Sequence, residues 1–225
     1  MSPLLTLALA SATLVATHLT LSHPLRPPLV RLLGERGFLL VYSAIALAAV
    51  WWMARAFRAA PAGDLGQASG VAGWVAASIL TVPALALFLG SLRANPALPR
   101  GAAADLAGRR AQGVFRVTRH PMMWGFALWA AAHIALLWSW RTMIVAAAVM
   151  VLALVGAAGQ DRKKRRLLGD GWRAWEERTT FAPRLRALPA IGWPLWIGAT
   201  VLWLAVTWAH RPLGGVPAGL WLWTG

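Results

Sequence analysis

Residues 142–160 read TMIVAAAVMVLALVGAAGQ, an uncharged run that ends abruptly in Asp161-Arg162-Lys163-Lys164-Arg165-Arg166. A hydrocarbon core about 30 Å thick takes about 20 helical residues to cross, and a helix closes its own backbone hydrogen bonds there. The run has that length. Working outward from it, cutting the chain at its charged residues leaves five more such intervals: 1–25, 37–54, 65–92, 121–140 and 187–210. The reading is an all-α polytopic membrane helix bundle of about six transmembrane helices. It is a single transmembrane domain over 1–225, with spans near 3–22, 37–54, 70–92, 121–140, 142–160 and 189–209.

Composition agrees. The 225 residues are 59% hydrophobic and 13% charged, where a soluble domain carries about 25% charged residues. A net charge of +15 would suggest nucleic acid in a soluble protein, but here the cations sit in short loops between apolar runs. Lipid headgroups are the expected partner and nucleic acid is not. Cysteine is absent, which removes disulfides, thiolate metal ligands, iron–sulfur clusters and c-type haem. Residues 1–22 carry small residues at Ala10-Ser11-Ala12, as a cleaved leader does. A retained helix is expected instead, because no basic residue precedes the run and it continues through Thr20 and Leu21.

Lys and Arg are held on the cytoplasmic side of membrane proteins. The loops after the first, third and fifth runs carry three, six and nine of them, 18 of the 22, against Arg55, Arg58, Arg141 and Arg211 on the other side. Both termini are therefore expected outside the cytoplasm. The first loop, His23-Pro24-Leu25-Arg26-Pro27-Pro28, reads as a stiff extended turn. Pro83 predicts a kink in the third helix, and Gly66, Gly70 and Gly73 a close neighbour at its start. The third loop contains Asn95-Pro96 and Leu98-Pro99, and Pro121 marks the start of the fourth helix. Leu168, Trp172 and Trp175, at spacings of four and three beyond the basic block, predict a segment lying in the interface, with Gly169 and Gly171 counting against a helix there.

All seven carboxylates, Glu35, Asp64, Asp105, Asp161, Asp170, Glu176 and Glu177, fall in loops on this reading. No nucleotide loop, zinc-protease motif or nucleophile elbow is present, so the histidines carry the chemical interest. His18 lies near the cytoplasmic end of the first helix and His120 at the start of the fourth, so the two share a depth. His133 is 13 residues further on, about 20 Å deeper at ~1.5 Å per residue, and His210 belongs to the outer end of the last helix. For His133 and His210 a hydrogen bond to a neighbouring helix competes with any functional role. Arg119 can clamp a propionate or phosphate through its planar fork, or simply add to the cytoplasmic positive charge. Trp138, Trp140, Trp193, Trp221 and Trp223 read as interfacial anchors, and Trp124 and Trp129 as packing.

The block Thr118-Arg119-His120-Pro121-Met122-Met123-Trp124-Gly125 through His133 resembles the signature of the NnrU family of bacterial membrane proteins. His18, His23-Pro24, Leu33-Gly34-Glu35-Arg36-Gly37, Asn95-Pro96, Asp161-Arg162, Leu168-Gly169, Trp172 and His210-Arg211-Pro212-Leu213-Gly214-Gly215-Val216 extend the resemblance over essentially the whole chain. It implies a multi-pass protein of the bacterial inner membrane, associated with nitrite and nitric oxide reduction, either catalytic or an accessory to a membrane nitrogen-oxide reductase. The family also resembles zeta-carotene isomerase, which uses b-type haem on a lipophilic polyene. That resemblance implies haem b with His18 and His120 as iron ligands, Arg119 beside a propionate and His133 as an alternate ligand or pocket wall. A second resemblance, through Arg119-His120-Pro121, Gly125, Leu168-Gly169, Trp172 and Trp175, is to membrane methyltransferases that bind S-adenosylmethionine. Here Met123 stands where that motif has tyrosine, and only Asp161 precedes the basic run.

The charge count makes one prediction. Topology reporters fused after residue 60 and after residue 165 report opposite sides of the membrane; reporters on the same side contradict the six-helix arrangement.

Overall fold

A computed structural model of the chain describes residues 1–63, 65, 69–96, 106, 108–214 and 217–224. Asp64, Gly66, Leu98-Pro99, Asp105 and Gly215-Val216, named above, lie outside the described residues. The described part is all-helical: α1 Pro3–Ser22, α2 Arg26–Ala59, α3 Gly70–Ser91, a single turn α4 Val114–Val117, α5 Pro121–Leu136, α6 Trp140–Leu168, α7 Asp170–Arg178 and α8 Trp193–Gly214, with 3-10 turns at Leu185–Ile191 and Gly219–Leu222. α1, α2, α3 and α6 are long and apolar enough to cross a membrane. α8 joins them as a fifth span if it is taken with the 3-10 turn before it, to which it is bent by 95°. The sixth expected span, α5, has only 16 residues, about 24 Å at ~1.5 Å per residue, and falls short of a full crossing.

The helix limits show where charge misleads. α1 starts on Ser2, whose Oγ accepts from the Leu5 N–H at 3.3 Å, with Pro3 inside the first turn. α2 does not wait for residue 37. Pro27 and Pro28 occupy its first turn, where a missing N–H costs nothing, so the expected extended turn shrinks to residues 23–25. The helix breaks at Gly34 (φ 69°, ψ 167°), a conformation that only glycine takes readily, and then runs past Arg55 and Arg58. α6 likewise continues through the basic block to Leu168. Asp161 is therefore helical and buried, not part of a loop. Trp172 and Trp175 are also buried, on the inner face of α7. The segment expected in the interface packs these two rings into a core with Leu87, Leu106, Val114, Phe115, Val117 and Ile191.

Packing is inverted relative to a soluble protein. The buried positions are mostly small, Ala10, Ala77, Ala84, Ala127, Ala130, Ala146, Ala153 and Ala157 among them, while Leu40, Trp51, Ile79 and Trp193 point outward. Lipid tails are as apolar as leucine, so helices associate through close backbone approach at small residues. α3 and α5 form the most extensive pair. A Cβ on Gly125 would meet the Ala84 carbonyl oxygen at 2.8 Å, and one on Gly73 would meet the Ala135 carbonyl at 3.3 Å. Gly73 thus makes the close approach expected of the glycines at the start of α3.

Gly125→Val should lower Tm in detergent, corresponding to about 1–3 kcal/mol for overpacking against backbone. The control Gly198→Ala, whose new methyl faces open space, should leave Tm unchanged or slightly raised.

Candidate functional site

Two features stand out at different depths. The first is at the basic end of the bundle, where the chain enters α5. Pro121 begins the helix, so the residues before it are extended and pair with the segment after α7. The Arg119 N–H donates to the Thr180 carbonyl at 2.8 Å, and the Arg184 N–H donates to that of Val117 at 2.8 Å. The Thr118 hydroxyl donates to the Phe181 carbonyl at 2.7 Å, as does Trp124 Nε1 at 2.8 Å. This pairing points Arg119 and His120 at α6. Arg119 grips Asp161 with Nε at 3.0 and 3.1 Å and Nη2 at 2.6 Å, and its Nη2 lies 3.5 Å from Glu176. Arg165 closes the network with two 2.8 Å bonds to Glu176.

His120 Nε2 donates to Asp161 Oδ1 at 2.8 Å, and its ring is completely enclosed. That bond requires a proton on Nε2 and leaves Nδ1 buried without a hydrogen-bond partner. Arg119, 8% exposed, and Asp161, 4% exposed, form a dry ion pair. Such a pair holds only where both charges are met by good geometry, because desolvation of each costs several kcal/mol. The arrangement can lock helices; its polar atoms face one another.

The second feature is a cavity of about 1100 Å³ walled by all six apolar helices and partly open. It exceeds the roughly 300–1,000 Å³ of a site for a drug-sized molecule. Its length runs from Ser22 and Arg26 at the basic end to Leu136 and His210 at the other, and its lining is predominantly apolar. The few polar groups are ordered. Tyr42 Oη and His18 Nε2 are hydrogen-bonded at 2.5 Å, with the rings 5.0 Å apart. Trp203 Nε1 donates to Thr81 Oγ1 at 2.8 Å. His133 Nδ1–H donates to the Trp129 carbonyl and His210 Nδ1–H to the Val206 carbonyl, each at 2.8 Å. In both residues the bond ties Nδ1 to a carbonyl of the residue's own helix, as the second ring nitrogen of a metal-bound histidine is tied.

The sequence-derived residues therefore divide. His18 and His133 line the cavity; Arg119 and His120 do not, being tied to Asp161. His210, set apart from the others on depth, lines the same cavity and lies within electrostatic range of His133. Among the described residues no group of three or more histidines and carboxylates is gathered as for a bare metal ion.

Sequence reasoning missed Asp161 as the partner of Arg119, and Thr81 and Trp203 as cavity residues. One signal was present for Asp161: Ala146, Ala153 and Ala157 make a small-residue stripe at helical spacing, and its next step is residue 161. Tyr42, the sole tyrosine in the chain, is with the histidines one of the few titratable side chains inside the uncharged runs. Outside the span, His23 is held by a 3.1 Å bond from Nδ1 to the Leu19 carbonyl, and its pKa is lowered by burial and by the cations Lys163 and Arg162.

The family model described as NnrU protein matches residues 6–218. The chloroplastic 15-cis-zeta-carotene isomerases of Zea mays and Arabidopsis thaliana are 36% and 34% identical to the chain over 73 residues. The match covers 32% of this chain and 19% of each of those proteins, so it spans about a fifth of their length. No solved structure matches the chain.

The ion pair predicts a specific pattern of instability. Arg119→Ala or Asp161→Ala alone strands a buried charge and should cost about 3–5 kcal/mol. The double variant should be markedly less destabilised than the sum of the two, measured by thermal unfolding in detergent. Additive losses would mean that the two side chains act independently.

Proposed function

The chain belongs to the NnrU family, and on that premise we propose that it is a membrane-embedded enzyme that isomerises a cis double bond in an elongated apolar polyene. The observation that carries the proposal is the cavity. It is long, lined mostly by apolar side chains and walled by every apolar helix, with its charged side chains, Arg26, Lys163 and Lys164, confined to the basic end. The partial similarity to 15-cis-zeta-carotene isomerases supports the reaction class. Apolar walls hold the chain of conjugated carbons in register and exclude water. The hydrogen-bonded His18–Tyr42 pair lies on one wall, and His133 and His210 lie towards the far end.

Haem b is part of the proposal. The donor set fits it: His18, His133 and His210 bring imidazoles to the cavity wall, and neutral imidazole is a good axial ligand. His18 is the candidate axial ligand at its depth, through the buried Nδ1 that its bond to Tyr42 leaves without a partner; His133 and His210 lie too far along the cavity to share its iron, and His120 does not line the cavity. When bound, haem would supply a Lewis-acidic, redox-active iron; the chain's own residues position the polyene and keep the cavity dry. The S-adenosylmethionine reading draws on Arg119 and His120 and gains no support from their engagement with Asp161.

Gly156 lines the cavity and a Cβ there meets nothing within 4 Å, so Gly156→Phe fills the cavity without forcing a helix aside. Wild-type protein in liposomes should convert a cis-polyene such as 15-cis-zeta-carotene to its isomer, read by chromatography. Gly156→Phe should lose at least about tenfold of that rate, equivalent to ~1.4 kcal/mol, with its Tm retained. The same preparations should show a Soret band that His18→Ala loses. No turnover by wild-type protein would overturn the proposal and leave the accessory role beside a nitrogen-oxide reductase.

A further inference from the structure

The six apolar helices that wall the cavity form an arc, not a ring. α2 packs on α1, α1 on α6, α6 on α5, α5 on α3 and α3 on α8. There the succession of close neighbours stops: among the described residues α2 packs extensively on α1 alone, and α8 on α3 and the turn Gly219–Leu222. Both end helices still line the cavity, α2 through Leu39 and Tyr42 and α8 through Trp203 and Val206. α2 is accordingly the least buried of the four long spans. The free edges of the wall are therefore α2 and α8, and α5 and α6, in the middle of the arc, face the gap between them.

The two ends of the cavity do not suit an apolar entrant. The basic end is rimmed by Arg26, Lys163 and Lys164, so entry there would take conjugated carbon through water and past charge, which is unfavourable. At the other end the chain folds back, and Pro217, Ala218, Gly219 and Leu222 become part of the lining. That fold-back is fixed. Trp221 Nε1 donates to the Leu204 carbonyl and to Thr207 Oγ1, each at 3.1 Å, and Arg211 donates to the Trp221 carbonyl. Gly219 (φ 56°) lies so close to Trp203 that a Cβ would meet its ring at 2.7 Å. The gap is different in kind: the outward faces of its two edge helices carry Leu40, Leu47, Ile197 and Val201, all exposed, as lipid-facing helices do. It opens onto hydrocarbon.

We propose that the gap between α2 and α8 is a lateral portal through which an elongated apolar molecule passes between the bilayer and the cavity, with Leu39 and Val206 on its two rims. Both side chains line the cavity and are 42% and 43% exposed. A molecule dissolved in the bilayer then reaches the cavity without leaving an apolar phase. The identity of that molecule as a polyene rests on the isomerase reading; the opening to hydrocarbon rests on the packing of the helices.

The test is photolabelling of the full chain in vesicles of phosphatidylcholine that carries a diazirine midway along one acyl chain, followed by peptide mapping. The expected result is label on Phe126 and Trp129, which line the cavity from α5, as well as on the outward Ile79. Leu39→Trp/Val206→Trp narrows both rims and should remove most of the α5 label while leaving that on Ile79; Val206→Trp alone serves if the pair fails to fold. Leu40→Trp/Val201→Trp adds the same bulk to outward positions of the same helices and should retain the α5 label. In polyene turnover the rim pair should lower kcat/KM by at least about tenfold. Absence of label on α5 in the wild-type protein would overturn the portal, as would α5 label that survives the rim substitutions. Label on α5 that appears only as the protein is diluted in lipid would also overturn it, assigning the gap to a second copy of the chain. Absence of polyene turnover by the wild-type protein overturns the isomerase reading instead, and the lipid labelling, which needs no substrate, still decides the portal.

Discussion

A single buried contact, the guanidinium of Arg119 on the carboxylate of Asp161, fixes the relation between the two helices on which the rest of the structure depends. The two charges are almost fully withdrawn from solvent, so each needs the other in good geometry, and the bidentate fork provides it. His120 adds a third bond to the same carboxylate, and Glu176 ties α7 to the same arginine. The start of α5, the emerging end of α6 and the cap helix α7 are thereby held together, with Trp172 and Trp175 packed under the cap. Since α5 and α6 both wall the cavity, a lock at one end sets the spacing along its length.

The cavity itself follows from the packing. Helices that meet through alanine and glycine approach closely in pairs, as α3 and α5 do at Gly125. Small residues cannot also fill the centre of six helices. The large side chains that would do so face outward, towards lipid, where they cost nothing. Close pairwise contact and an open centre are two results of one composition. The lining that results is predominantly apolar, with ordered polar pairs at His18–Tyr42 and Thr81–Trp203 and two histidines at the His133–His210 end.

How much of this was legible in the sequence depended on whether charge and helix ends coincide. Where they do, as at Pro3–Ser22 and at Pro121, the uncharged intervals predict the elements closely. Where a helix continues through charge, they do not. α6 runs eight residues beyond Gln160, because Lys and Arg are good helix formers and extend outward from the membrane. Treating that block as a loop put Asp161 on the surface and hid the partner of Arg119. Depth arguments placed His18 and His120 at one level but could not say which way each ring points; tertiary pairing of residues 117–120 with 180–184 turns His120 towards α6. Likewise, His210 was separated from the other histidines by depth, although one long cavity includes both its level and that of His18.

The central claim is that an elongated apolar molecule occupies this cavity. Photo-crosslinking with a diazirine-bearing polyene in liposomes, followed by peptide mapping, tests it most directly. The account predicts labels on inward residues of α3, α5 and α6, namely Thr81, Trp129 and Ala153, which are reduced by competing unlabelled polyene. Labels confined to the outward-facing Leu40, Ile79 and Val151, and unaffected by competitor, would contradict it.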